Sequence, residues 1–302
     1  MKFTNLYLIR LIFPLIVFSS LIGCKMNTTD QQTATLDQSR LIAWCIVPYD
    51  SQERGPAERV NMLQKLGFGS YAYDWRTKHL DSFSEEIKLA RQSDIEISAV
   101  WMWIDGNADT TGKLSGDNER LLHIIQESGL QTEIWLGINH NFFDDTSDEP
   151  ERIRKAGEFI TYLQQRIAPL DCSLALYNHG DWFGDPENQL KIINSLDKPD
   201  AVGIVYNFHH GHQQVDKFAE LLDQMLPYLS AVNLNGMRVE GPKILPIGEG
   251  EREAQMIAEL LQAGYDGPIG ILGHVEDEDV ALVLQRNLDG LAMITSSLNE
   301  SK

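Results

Sequence analysis

The sequence predicts a single (β/α)8 barrel. Eight short segments rich in β-branched and aromatic residues punctuate it, longer segments with apolar residues at helical spacing separate them, and no glycine-rich loop follows the first strand. A doubly wound open sheet is the rival architecture, and it would carry such a loop where Pro48-Tyr49-Asp50-Ser51 stands. Eight β/α units in about 250 residues match the barrel. With 43% hydrophobic and 23% charged residues, the chain has the composition of a folded domain and not of a disordered or fibrous one.

In order, the predicted strands are LIAWCIV from Leu41, GSYAY from Gly69, IEISAVWMW from Ile95, TEIWLGI from Thr132, CSLALY from Cys172, AVGIVY from Ala201, SAVNL from Ser230 and PIGIL from Pro268. Their unbroken apolar character is that of parallel strands covered on both faces. Helical spacing predicts helices over Pro56–Leu66 and over residues 118–128, 151–166, 186–196, 213–226 and 252–262. Pro56 suits a first helical turn and Gly67 a stop, while Gly129 and Gly264 suit left-handed helix caps.

The N-terminus has a different logic. Lys2 and Arg10 accompany a short apolar stretch from Leu11 to Ile22, interrupted by Pro14. A membrane-spanning helix needs about 20 apolar residues, so this stretch suits an export signal instead. It ends in Leu21-Ile22-Gly23-Cys24, which resembles the bacterial lipobox and implies cleavage before Cys24 with lipid on its thiol and new N-terminus. Residues 1–23 are read as the signal peptide, 24–40 as a lipidated flexible tether and 41–298 as the barrel. The expected product is exported and anchored to a bacterial membrane, on the periplasmic or outer-membrane face. Cys45 and Cys172 fall in strands 1 and 5, on opposite sides of the barrel, which predicts two buried free thiols and no disulfide.

Asp and Glu number 44 against 25 Lys and Arg, for a formal charge of −19. So acidic a chain has no electrostatic grip on phosphate backbones, which argues against nucleic acid as a partner. The oligomeric state is not legible.

Barrel enzymes place their chemistry at the C-terminal ends of the strands. There the sequence offers Asp74-Trp75-Arg76, Asp105, Asn139-His140, Asn178-His179-Gly180-Asp181, Asn207-Phe208-His209-His210-Gly211-His212, Asn233 with Asn235, and His274. Six of the eight histidines fall in these segments, leaving out His79 and His123. Imidazole serves as base, acid or metal ligand. The asparagines suit sugar hydroxyls, each presenting donors and an acceptor. Among Trp44, Tyr73, Trp101, Trp103, Trp135 and Trp182, two or three near the rim are expected to stack on a sugar face, Trp103 included.

At these residues the sequence resembles the xylose-isomerase-like superfamily, which holds sugar-phosphate isomerases and epimerases and endonuclease-IV-type enzymes. The resemblance covers roughly residues 41–295. It is carried by LALYNHG from Leu174, VGIVYNFHH from Val202, and LPIGEGE from Leu245, a loop that contains Glu249. It implies a divalent metal held by a strand-5 Glu, a strand-6 Asp, a strand-7 His and a strand-8 Glu. Here those positions read Tyr177, Asn207, Asn233 and Gly273-His274. The carboxylate cage is missing. What remains is His179, His210 and His274, with Asn207 as a further donor, a set suited to a transition ion (Zn, Co, Ni or Mn) rather than Mg.

The shared chemistry of the superfamily's sugar enzymes is removal of a proton beside a carbonyl. That needs a base near pKa 7 and a group to hold charge on the enolate oxygen. His179, His210 and His274 are the candidate catalytic residues. Asp74, His140, Asn178, Asn207, His209, Asn235, Glu249 and Trp103 are the candidate contacts to substrate, with the amides of Asn178, Asn207 and Asn235 available to the enolate. The function expected is a carbohydrate isomerase or epimerase. A keto-glycoside lyase shares its first step, and a non-catalytic sugar-binding lipoprotein would explain the lost ligands.

Overall fold

The computed structural model describes residues 36–300. The predicted signal peptide, Cys24 and most of the predicted tether lie outside the described residues. Eight parallel strands, β1 (Leu41–Trp44), β2 (Ser70–Tyr73), β3 (Glu96–Ile104), β4 (Glu133–Ile138), β5 (Ser173–Tyr177), β6 (Gly203–Asn207), β7 (Leu229–Leu234) and β8 (Ile269–Leu272), follow one another around a closed barrel, with β8 pairing back on β1. The helices are α1 (Pro56–Leu66), α2 (Leu80–Gln92), α3 (Gly116–Ser128), α4 (Glu149–Ile167), α5 (Asp181–Gly184), α6 (Pro186–Asn194), α7 (Phe218–Met225), α8 (Glu253–Gln262) and α9 (Val280–Glu300). The predicted caps Gly129 and Gly264 take φ of 58° and 79°, in the left-handed region.

Alternation along the strands divides the core in two. Inward side chains include Trp44, Trp101, Trp135 and Tyr177, interleaved with Ala72, Ala99, Ala175 and Ala231. An eight-stranded barrel is only just wide enough for side chains to fill, so large residues must face small ones. Trp135 meets Trp44 edge-on at 4.9 Å, low in the barrel. Outward side chains pack under the helices in the larger apolar layer.

The structure differs from the sequence reading in several places. β1 stops at Trp44, because Cys45 adopts φ 56° and turns the chain out of the strand. Cys45 is buried just past β1, whereas Cys172 is half-buried just before β5, at the opposite mouth. Residues 213–226 do not form one helix: His212–Lys217 is a 3-10 segment and only Phe218–Met225 is α-helical. Helices α2 and α9 lie outside the predicted helical ranges. In α9 the buried stripe is interrupted by Asn287, which accepts from the Ile247 amide at 2.8 Å and donates to the Leu272 carbonyl at 2.8 Å. The barrel also begins before residue 41. Gln38–Arg40 is a 3-10 turn, and the Arg40 guanidinium donates to the carbonyls of Tyr265 and Gly267.

Candidate active site

A cavity of about 490 Å³ opens at the C-terminal ends of the strands. Its aromatic wall is Trp44, Tyr49, Trp75, Trp101, Trp103 and Tyr177, and its polar wall includes Asp74, Arg76, His179, Asn207, His209, His210 and His274. Four of the six rim histidines therefore converge.

Each reaches the cavity from a different element. His179 follows β5, where Trp101 and Trp103 flank its ring at 5.5 and 4.8 Å. His209 and His210 follow β6 on a tight turn in which the amides of His210 and Gly211 donate to the Asn207 carbonyl. His210 lies 4.4 Å from both His179 and His209, ring centre to ring centre. His274 follows β8, 6.0 Å from His209 and 3.6 Å from the Tyr49 ring.

Shielding from water disfavours imidazolium, and the neighbouring imidazoles add to the effect. It lowers His210 to about 2, with His179, His209 and His274 contributing. His179 and His274 are lowered to about 4, in each case by desolvation first and His209 second. These three imidazoles are therefore unprotonated at neutral pH. Asp74, by contrast, is raised to about 7 by burial.

Asp74 is positioned by the turn at Cys45. Leaving β1 in a left-handed conformation directs the amides of Ile46 and Val47 at Asp74 Oδ1, at 3.2 and 3.1 Å. Its other oxygen has no hydrogen-bond partner. Arg76 curls over the rim, donating to the Tyr49 hydroxyl at 3.0 Å and to the Asp74 and Trp75 carbonyls. Tyr49, in the loop after β1, and Tyr177, at the end of β5, also line the cavity, although neither is among the predicted catalytic or substrate contacts.

Four predicted contacts lie elsewhere. His140 is exposed, 3.7 Å from the Asp181 carboxylate. Asn178 clamps β5 to β6, accepting from the Asn207 amide at 2.7 Å and donating to its carbonyl at 3.1 Å. Asn235 donates to the carbonyls of Gly236 and Lys243, bracing the loop after β7. Glu249 is exposed on that loop. Trp103, Asn207, His209 and Asp74 line the cavity as expected.

The residues do not fit the metal site that the resemblance implies. Among the described residues, no three His, Cys, Asp or Glu side chains are grouped to hold an ion. The positions of the missing carboxylates are committed to one another: Tyr177 Oη accepts from Trp44 Nε1 at 2.9 Å and from Asn207 Nδ2, while Asn207 Oδ1 accepts from the His209 amide. Neutral oxygens already engaged with N–H donors are poor partners for a hard cation.

No family model matches the chain, and no curated protein matches it. Solved structures do. The chain is similar to a 3-keto-D-glucoside 4-epimerase from E. coli, with 17% identity over 85% of this chain and 99% of that one, at a TM-score of 0.60. It is also similar to an IolI protein with a bound zinc atom (12% identity, 85% and 98% covered, TM-score 0.65). A third match is a D-psicose 3-epimerase with D-tagatose from Clostridium cellulolyticum H10 (11% identity, 84% and 98% covered, TM-score 0.60). These likenesses establish the fold, a (β/α)8 barrel.

Proposed function

We propose that the chain is a carbohydrate epimerase- or isomerase-like enzyme that removes a proton from the carbon beside a sugar carbonyl. The observation that carries this reading is the convergence of His179 and His210 on one aromatic-walled cavity at the catalytic mouth of the barrel. Trp103 and Trp101 offer faces for the C–H side of a pyranose, and the imidazoles and Asn207 meet its hydroxyls. His179 is the base. With a pKa lowered to about 4 it is unprotonated at neutral pH, and negative charge developing on the substrate favours its protonation as the proton is transferred. His210, beside it, is the second proton carrier. The similar epimerases act on keto-sugars by their names, which supports a keto-sugar or keto-glycoside here. The lipobox-like N-terminus supports a substrate met outside the cytoplasm.

Deuterium wash-in from D2O into a panel of ketohexoses and 3-keto-glucosides, with product analysis, tests the proposal. Exchange with return of hydrogen identifies an epimerase or isomerase, and exchange with loss of a leaving group identifies the lyase. Tight sugar binding without exchange on any compound refutes catalysis and leaves a binding protein.

A further inference from the structure

We propose that Tyr177 is a catalytic residue whose hydroxyl hydrogen is donated to the substrate oxygen that becomes negative when the neighbouring carbon loses its proton. This inference rests on the proton-transfer reading and assigns the charge-stabilising role that reading leaves open.

The argument is a count of donors and acceptors. A phenol has one hydrogen to give and two lone pairs to fill. Both lone pairs of Tyr177 are filled, by Trp44 Nε1 from β1 at 2.9 Å and by Asn207 Nδ2 from β6. The orientation of Asn207 is fixed, because its Oδ1 accepts the His209 amide at 3.0 Å. Asn233, from β7, is the third polar neighbour of the phenol, and neither polar atom of its side chain has a hydrogen-bond partner. The Asn233 oxygen is directed at Gly270, against whose Cα no side chain could stand. Both hydrogen-bond partners of this oxygen are therefore N–H donors, and the hydroxyl hydrogen is left for a ligand in the cavity that Tyr177 lines.

N–H donors on a hydroxyl oxygen polarise its O–H bond and strengthen the bond that it donates. A donor fixed by packing before the reaction meets the oxyanion with little reorganisation. In the step itself, His179 takes the proton from carbon, and the C–H electron pair forms the new C=C bond. The carbonyl π pair moves onto oxygen, which accepts the hydrogen bond from Tyr177. Tyr177 keeps its proton, and return of a proton to carbon regenerates the carbonyl.

The test compares wild type with Tyr177→Phe in the full chain, by steady-state kinetics and by affinity for a planar hydroxamate analogue of the enolate. Loss of an oxyanion donor predicts a fall in kcat of about 100- to 1,000-fold. KM stays within about threefold, the signature of an interaction made in the transition state. Hydroxamate affinity falls with kcat. Tyr177→3-fluorotyrosine, which keeps ring and hydroxyl but makes the hydroxyl more acidic, changes kcat and its pH profile, whereas a structural hydroxyl would leave both unmoved. It also serves if the Phe variant fails to fold. A Phe variant that folds with kcat within about threefold of wild type, or a fluorotyrosine variant that changes nothing, overturns the role of Tyr177 while leaving the base untouched. Wild type that exchanges no sugar proton overturns both.

Discussion

The rings of His179 and His210, carried on the loops after β5 and β6, lie 4.4 Å apart with planes 43° from parallel. Burial is the first cause that keeps both rings neutral, with His209 acting next on His179, and His179 and His209 next on His210. With pKa values this low both rings are unprotonated at neutral pH, the form a general base must take. His179→Ala and His210→Ala should each lower turnover by about 100-fold or more, with far-UV circular dichroism and melting temperature little changed. Full activity in both variants would remove the imidazoles from the mechanism.

The pH dependence of stability has two opposing parts. The cavity histidines have folded pKa values below their usual 6.5, so the unfolded chain binds more protons between that value and about 4, and acid destabilises the fold across this window. Asp74 does the reverse. Its pKa rises from 3.8 to about 7, so the folded state binds more protons in between, and stability is lost as pH rises through that range. Asp74→Asn keeps an acceptor for the Ile46 and Val47 amides and removes the charge. At pH 8 it should be more stable than wild type by on the order of 2 kcal/mol, with the gain vanishing near pH 4. Urea melts at the two pH values measure it, and equal stability at pH 8 would contradict a buried, titrating Asp74.

Gly137 on β4 faces the barrel interior under two cavity tryptophans. A Cβ there would stand 2.6 Å from Trp101 Cη2 and 2.7 Å from Trp103 Cε3. Gly137→Ala should therefore cost about 1–3 kcal/mol of stability through overpacking and displace the Trp103 ring. Sugar affinity should drop while the pH profile is retained. Unaltered affinity, by titration calorimetry, would show that Trp103 is not a sugar platform.

Behind β2, the Arg59 guanidinium pairs with Glu86 at 2.5 Å, both side chains buried, and Tyr71 donates to the same carboxylate at 2.9 Å. Arg59→Met leaves Glu86 uncompensated and should cost about 3–5 kcal/mol, whereas Arg59→Met with Glu86→Leu should recover much of it. A double-mutant cycle by chemical denaturation gives the answer.

Because the cavity's neutral oxygens are engaged with N–H donors, chelation should leave sugar-proton exchange and melting temperature unchanged. Loss of exchange in EDTA, restored by added zinc, would show instead that the imidazoles gather around an ion in solution.

By itself the sequence determined the barrel, since two-faced burial writes strands as apolar runs and one-faced burial writes helices as periodic stripes. It also determined which loops carry histidine. Tertiary structure alone decided which of those groups meet. The turn at Cys45, legible only as a backbone conformation, aims two amides at Asp74. Asn178 and Asn235 fell to bracing strands and loops, because a buried backbone amide or carbonyl must find a partner and a nearby carboxamide supplies one. In the sequence Tyr177 stands only where the resemblance implies a strand-5 Glu; that Trp44, far away in the chain, donates to its oxygen is a property of the closed barrel. Side-chain direction and the solvent access that sets pKa are properties of the closed barrel and not of any segment of it.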